Sequence, residues 1–352
     1  MDIKDRYLIK ILDKLINYNA LPILVGGCVR DYFLHLPSKD YDIEVYGLET
    51  IEELENILEE FGDVNLVGKS FGIVKLSTSS MEYDFSFPRL ENKTSQGHSG
   101  FEVIVDGNLD FKEASKRRDF TINSIGYDYK HKIFLDPFLG IEDMEKKLLK
   151  YIDKDTFIED ALRVYRAVQF SARFDFKIDS STFNLCKKLV STQEFKNISK
   201  ERIFEEYRKL FLKSKKPSIG LTLLNELKIE QIDKSTQRLI DESIEQNITD
   251  EEKLILIFSL FNNIFTRISD DKKMYKKIEA YKSFKIPRIY RNKFKNNDAF
   301  MKQMVVKLKI LKDMPKPLFM GKDLIKMGYK PSEKFKSILD TLYKMQLDGK
   351  IC

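Results

Sequence analysis

The hydrophobic pattern of this chain changes character once, near residue 140, and that change limits the folds open to it. Upstream, short apolar runs alternate with segments of helical spacing. LPILV at 21–25 is a strand-length run ending at Gly26-Gly27, and CVRDYFLHL follows with helical spacing. YDIEVYG alternates as a strand does, TIEELENILEEFG is helical, and FGIVKLST and MEYDFSF are two more strands. Residues 88–100, PRLENKTSQGHSG, are polar and contain glycine, so they read as a long loop. DFTINSIGYD and KIFLDPF supply two further strands with a turn near Lys130.

Downstream, only three- and four-residue spacing remains. IEDMEKKLLKYI, DTFIEDALRVYRAVQFSARF, SSTFNLCKKLV and SKERIFEEYRKLFL all read as helices, the last with Ser199 as its N-cap. The expectation is an α+β protein, and 352 residues give room for more than one domain. A head with a small mixed sheet is expected over 1–138. A helical neck over 139–220 and a helical body and tail over 221–352 follow it.

Charge is spread unevenly. Residues 271–352 carry 22 Lys/Arg against 8 Asp/Glu, a local excess of +14, so the rest of the chain is acidic by 8 charges within a total of +6. A basic C-terminal third suits a partner with a phosphate backbone, and a Lys-rich solvated surface is the alternative. Cys28, Cys186 and Cys352 are too few and too scattered for a disulfide framework or a zinc site. The charged first ten residues do not read as a signal peptide, and no apolar run approaches the ~18–20 residues of a membrane helix. A cytoplasmic location is the expectation.

The sharpest local signal is Gly26-Gly27-x-Val29-Arg30-Asp31, followed by Asp40-x-Asp42. A strand running through two glycines into a helix exposes backbone N–H groups to a phosphate, and Arg30 adds a charged donor. Alternate residues of a strand share a face, so Asp40 and Asp42 are expected side by side. Two carboxylates held close are costly without a cation, and Mg²⁺ is suited to one or two carboxylates plus substrate phosphate oxygens. A solvent-facing pair on an edge strand is the alternative reading.

The run GGCVRDYFLHLPSKDYDIEVYG resembles the first motif of the class II tRNA nucleotidyltransferase and bacterial poly(A) polymerase family, a branch of the DNA polymerase β superfamily. Later motifs appear in the family's order. Arg117-Arg118-Asp119-Phe120-Thr121-Ile122-Asn123 is similar to its second block, and LDPFLGIEDMEKKLLKYI to the segment joining head to neck. Glu159-Asp160-Ala161-Leu162-Arg163-Val164-Tyr165-Arg166 resembles the nucleotide-reading helix, and Ser199-Lys200-Glu201-Arg202-Ile203 the helix after it. A looser match covers the tail segment PLFMGKDLIKMGYKPSEKFKSILDTLYKMQLDGKI.

The resemblance implies a polymerase-β-like head with Asp40 and Asp42 as catalytic Mg²⁺ ligands. It implies triphosphate contacts from Gly27 and Arg30, with Arg118, Asp160, Arg163 and Arg166 at the nucleotide. The implied reaction is template-independent addition of CCA to the tRNA 3′ end from CTP and ATP, releasing pyrophosphate with two metals. Asp160 and Arg163, three apart on one expected helix, would share a face. A carboxylate only accepts hydrogen bonds and a guanidinium only donates them, which matches the amine-and-ring-nitrogen edge common to cytosine and adenine.

Gln169 stands where the family's helix often continues with another arginine, which puts one contact in question. Asp84 is a candidate third carboxylate. The 88–100 loop, with Arg89, Lys93, Gly97 and Gly100, resembles the mobile loop of full CCA-adding enzymes. His35, His98 and His131 form no metal-binding cluster, so the phosphohydrolase domain of some relatives is not expected. Within the same chemistry, the alternatives are an A-adding or CC-adding specialist and a poly(A) polymerase. Outside it, the alternative is an inactive RNA-binding protein. Oligomeric state has no signature in the sequence.

Overall fold

A computed structural model describes residues 1–351 apart from 39, 66–71, 79–81, 94–100, 262 and 294–298. The chain forms two compact units, Met1–Glu206 with Ile219–Gln231, and Tyr207–Ser218 with Ile232–Cys352.

The first unit holds all nine strands of the head: β1 Leu21–Val25, β2 Asp42–Tyr46, β3 Asp63–Asn65, β4 Ile73–Ser77, β5 Glu82–Ser86, β6 Arg89–Lys93, β7 Phe101–Val105, β8 Gly126–Asp128 and β9 Ile133–Leu135. Its helices are α1 Arg6–Asn17, α2 Gly27–Phe33, α3 Ile51–Leu58, α4 Phe111–Ser115, α5 Gly140–Glu145, α6 Lys154–Glu159, α7 Arg163–Phe174, α8 Ser180–Val190 and α9 Gln193–Lys196. Next come α10 Lys200–Lys213 and α11 Pro217–Glu226, whose residues are divided between the two units.

Seven strands form one sheet in the order β3-β4-β5-β2-β1-β8-β9. β2 and β5 run parallel and the other pairs antiparallel, so the sheet is mixed, as expected. β1 is an interior strand, paired with β2 and β8 and buried over 22–25, which is why LPILV is apolar throughout rather than alternating. Helix α1 buries Leu8, Ile11, Leu12 and Leu15, a stripe at helical spacing. Asp5 caps it, accepting from the Tyr7 and Leu8 N–H groups.

Four sequence expectations need correction. IEDMEKKLLKYI is not one helix, since α5 ends at Glu145 and Leu148–Leu149 pairs in parallel with Lys177–Ile178, so the neck is not wholly helical. Residues 89–93 are not loop: β6 pairs antiparallel with β7, and the alternation of Leu90 with its polar neighbours is compatible with such a hairpin. Gly97, His98 and Gly100 lie outside the described residues. DFTINSIGYD is not one strand, because Thr121–Asn123 forms a 3₁₀ turn before β8. The helix expected from DTFIED through ARF is two helices, broken at Asp160, where the backbone turns extended (φ −122°, ψ 99°).

The second unit is helical, with α12 Lys234–Ile244, α13 Asp250–Leu260, α14 Ile264–Ile268, α15 Lys272–Ser283, α16 Phe300–Lys312, α17 Gly321–Lys326 and α18 Lys334–Leu347. Phe211, Phe258, Phe261 and Phe265 form a ring cluster in its core. Thr249 and Glu252 close a reciprocal capping box at the start of α13, and Lys312 reaches the same Glu252 at 2.7 Å. α18 buries none of its side chains.

Candidate active site

The chain turns from β1 into α2 at Gly26, whose φ of +71° and ψ of −130° disfavour any side chain. A Cβ there would sit 3.2 Å from Asp42 Oδ2 and 3.4 Å from Arg118 Nη1. Gly26 therefore lets the turn, the Asp42 carboxylate and the Arg118 guanidinium converge. Asp42 opens β2, opposite Val25 on one side and Asp84 on the other. Its carboxylate has no hydrogen-bond or ion-pair partner among the described residues.

Asp42 is solvent-exposed as a residue, yet desolvation leads the causes that raise its pKa. Asp84, Asp40 and Glu44 add to the rise, and Arg118 opposes it. Asp40 does not share the strand: it lies two residues before β2 begins and is exposed. The expected side-by-side projection is thus replaced by a strand-end carboxylate and a neighbour in the preceding coil. Asp84 is bound to Lys75 at 3.3 Å.

Around this turn lies a polar cleft of about 410 Å³. Gly27, Arg30, Asp42, Arg118, Asp160, Arg163 and Arg166 line it, seven of the eight residues picked out from sequence; Asp40 does not. Gly26, Arg89, Arg117, Asp119, Asn123, Leu162 and Arg202 complete the lining. A larger groove of about 1070 Å³ is lined by Phe176, Phe183, Ile219 and Leu223, among others, and by none of the predicted residues.

Charge in the cleft is organised in three nodes. In the first, Glu44 is fully buried on β2, two residues from Asp42 and so on the same face. Its carboxylate accepts from Arg117 at 2.6 Å, Arg118 at 2.8 Å and the Tyr46 hydroxyl at 3.1 Å. Burial alone would raise the Glu44 pKa, but Arg118 and Arg117 outweigh it and hold the group below its ordinary value.

In the second node, Asp119 accepts from Arg166 Nε at 2.7 Å and Asn123 Nδ2 at 2.9 Å. Burial opposes its ionisation, and Arg166 leads the groups that overcome this and lower its pKa. Asn123 in turn accepts from Arg30 at 2.8 Å. Arg30 was expected to face triphosphate, but it is buried. Its Nε donates to Asp31 at 2.9 Å, and its guanidinium lies 4.8 Å from the Phe174 ring and 5.3 Å from that of Phe170.

The third node corrects the expected base-reading pair. Asp160 ends α6 and Arg163 begins α7, so they do not share a helix face. Asp160 caps the turn, accepting from the Leu162 N–H at 3.1 Å and from Arg202 at 2.7 Å. Arg163 donates to the carbonyls of Thr156, at 2.7 Å, and Arg117. Gln169 is buried on α7, and its Nε2 has no hydrogen-bond partner among the described residues.

Sequence reasoning missed the roles of Glu44, Asp119, Asn123 and Arg202. A signal existed for Glu44, since period-two spacing from Asp42 already placed it on the cleft face. Asp119 and Arg202 lay inside quoted motifs, but only the folded chain shows which arginine meets which carboxylate.

Residues 23–150 match the Poly A polymerase head domain, and residues 175–233 match the probable RNA and SrmB-binding site of polymerase A. The multifunctional CCA protein of Aliivibrio salmonicida is 36% identical over 206 residues, which is 58% of this chain and 48% of that protein. The chain thus spans about half the length of the curated relatives it matches. The CCA-adding enzyme of Bacillus stearothermophilus in complex with CTP is 20% identical and superposes with a TM-score of 0.72, covering 99% of this chain and 94% of that one. The Thermotoga maritima CCA-adding enzyme complexed with tRNA is 19% identical with a TM-score of 0.67, covering 100% and 93%. At these identities the two structures speak for the fold.

A mixed sheet with a glycine turn beside a strand-end aspartate, followed by arginine-bearing helices, defines a nucleotidyltransferase head of the poly(A) polymerase type. Over residues 23–233 the chain is similar to the class II family of tRNA nucleotidyltransferases and bacterial poly(A) polymerases.

Proposed function

We propose that this protein adds CCA to the 3′ end of tRNA, without a template, from CTP and ATP. The observation that carries the reading is the cleft itself: Gly26-Gly27, Asp42, which has no partner among the described residues, and six arginines besides Arg30 converge there. It is supported by the names of the relatives and by their complexes with CTP and tRNA. The head, 1–138, would carry the chemistry, the neck, 139–220, would read the nucleotide, and 221–352 would hold tRNA through the basic 271–352 segment.

The donor set fits Mg²⁺. Asp42 offers a carboxylate without a partner among the described residues, and Asp40 is close enough to raise its pKa. Among the described residues no group of three His, Cys, Asp or Glu forms a protein-only cage. That suits an ion which takes one or two carboxylates and fills its shell with phosphate oxygens and water. When bound, Mg²⁺ would supply charge neutralisation at the phosphates.

The remaining work falls to the protein's own groups. Gly27 allows close approach of a triphosphate, and Arg117 and Arg118 oppose its negative charge. The RNA 3′-hydroxyl attacks the α-phosphorus in line and pyrophosphate leaves, a reaction governed by positioning and electrostatics more than by proton shuttling. Asp160 and Arg163 line the same cleft, so an acceptor and a donor can still meet the base edge although they sit on two elements. To do so, Asp160 exchanges Arg202, and Arg163 exchanges carbonyls, for the base.

The test is primer extension with Mg²⁺ on tRNA lacking its last three nucleotides, which should gain C, C and A. Long A tracts on unrelated RNA point instead to a poly(A) polymerase. A halt after CC, or a requirement for a CC end, points to a specialist. Inertness with every NTP and metal, with tRNA still bound, makes the protein an RNA-binding relic.

A further inference from the structure

Glu44 is a fully buried charge beside the cleft rather than in its lining, and the metal and nucleotide contacts described above do not use it. It lies on the central strand β2 at zero exposure, two residues from Asp42 on the same face. It fixes two guanidinium groups at once, Arg117 at 2.6 Å and Arg118 at 2.8 Å, while the Tyr46 hydroxyl holds it from below in the strand at 3.1 Å.

Arg118 is the group that makes this arrangement consequential. Its Nη1 and the Asp42 Oδ2 both stand within 3.4 Å of the point where a Gly26 Cβ would lie. Yet Arg118 forms its ion pair with Glu44, and Asp42 remains without a partner among the described residues. A guanidinium so near a free carboxylate would ordinarily close on it, because charge-assisted pairs are the strong ones. Closure would place a positive group where a divalent cation is needed.

We propose that Glu44 is a positioning residue which restrains Arg118 and so keeps the Asp42 carboxylate available to a divalent metal ion. The inference rests on the reading of Asp42 as a metal ligand. Glu44 holds the arginine near enough to serve a phosphate, and too firmly tethered to neutralise Asp42. Tyr46, in turn, fixes the carboxylate of Glu44 from the same strand face.

The experiment is a double-mutant cycle read by direct Mn²⁺ binding, using electron paramagnetic resonance or calorimetry on the full chain without nucleotide. Glu44→Gln should weaken Mn²⁺ binding by roughly tenfold, the effect of one charge-assisted hydrogen bond changing partner. Arg118→Gln alone should change it little, and Glu44→Gln with Arg118→Gln should recover most of the loss. That non-additivity is the expected signature. Glu44→Asp, which keeps the charge, should bind Mn²⁺ close to normally and serves if Glu44→Gln fails to fold.

Strictly additive effects would overturn the restraint, since they reduce Glu44 to a distant contributor of negative field. A Glu44→Asp chain that folds yet loses Mn²⁺ as Asp42→Asn does would also overturn it. If the unaltered protein binds Mn²⁺ no better than Asp42→Asn, the metal reading itself fails, and the inference fails with it.

Discussion

The Asp160 carboxylate accepts a hydrogen bond from Arg202 at 2.7 Å, joining the turn before α7 to the start of α10. In the proposed reading of the nucleotide, Arg202 holds the carboxylate that would accept from the base. Asp160→Ala should therefore blur the choice of nucleotide. Its preference for CTP over UTP should fall about tenfold or more, as expected when an unmatched buried group no longer penalises the wrong edge. Arg202→Ala leaves the carboxylate in place but unsteadied, so its loss should be smaller. Single-nucleotide addition with each NTP measures both ratios. An unchanged preference in Asp160→Ala would remove Asp160 from base reading.

Gly26→Ala addresses the convergence at the turn. A side chain at φ +71°, ψ −130° costs on the order of 1–3 kcal/mol, and its Cβ would press on Asp42 and Arg118. Nucleotide addition should fall by at least a hundredfold while the protein stays folded at 25 °C, because a 3.2 Å contact forces the reacting groups to shift. Circular dichroism with an activity assay separates the two effects.

Much of this could be read in advance, and what could not has a physical pattern. Apolar runs marked β1, β2, β4 and β5, because buried faces dictate such runs, and with β2 the strand that Asp42 opens; β3, β6 and β7 were not marked. Asp160 was misplaced on a helix because every residue of EDALRVYR is compatible with helix; the break comes from the side-chain cap that Asp160 gives the Leu162 N–H. The partners of Arg30 were illegible for another reason. Spacing shows a charge near a glycine turn, but not that Asp31, Asn123 and two phenylalanines enclose it.

Asp119 should make stability depend on acid. Its pKa in the folded chain lies below the ordinary value of about 3.9. The stabilisation it contributes is thus complete above that ordinary value and drains away as pH falls through the depressed one. Asp119→Asn should cost about 3 kcal/mol at pH 7, since it strands Arg166 without its carboxylate. Urea unfolding from pH 7 down to pH 3 checks this. The gap between the two proteins should hold steady to about pH 5 and narrow below about pH 4.

Cys28 should be chemically silent. Its thiol is buried, donates to the Val25 carbonyl at 3.2 Å, and has its pKa pushed up to about 12, chiefly by burial. Cys186 is buried with its pKa pushed up to about 12 for the same reason. Iodoacetamide at pH 8 should leave both unmodified in the native protein and label both in urea, as peptide masses would show.

Arg30 works as a rivet. It fastens α2, directly behind the glycine turn, to Asn123 and to the phenylalanines of α7, the helix that also carries Arg163 and Arg166. The parts of the cleft that would hold phosphate and base are therefore mounted on one stiff frame. A base seated askew would drag the turn with it, so poor recognition and poor geometry for bond formation would arise together.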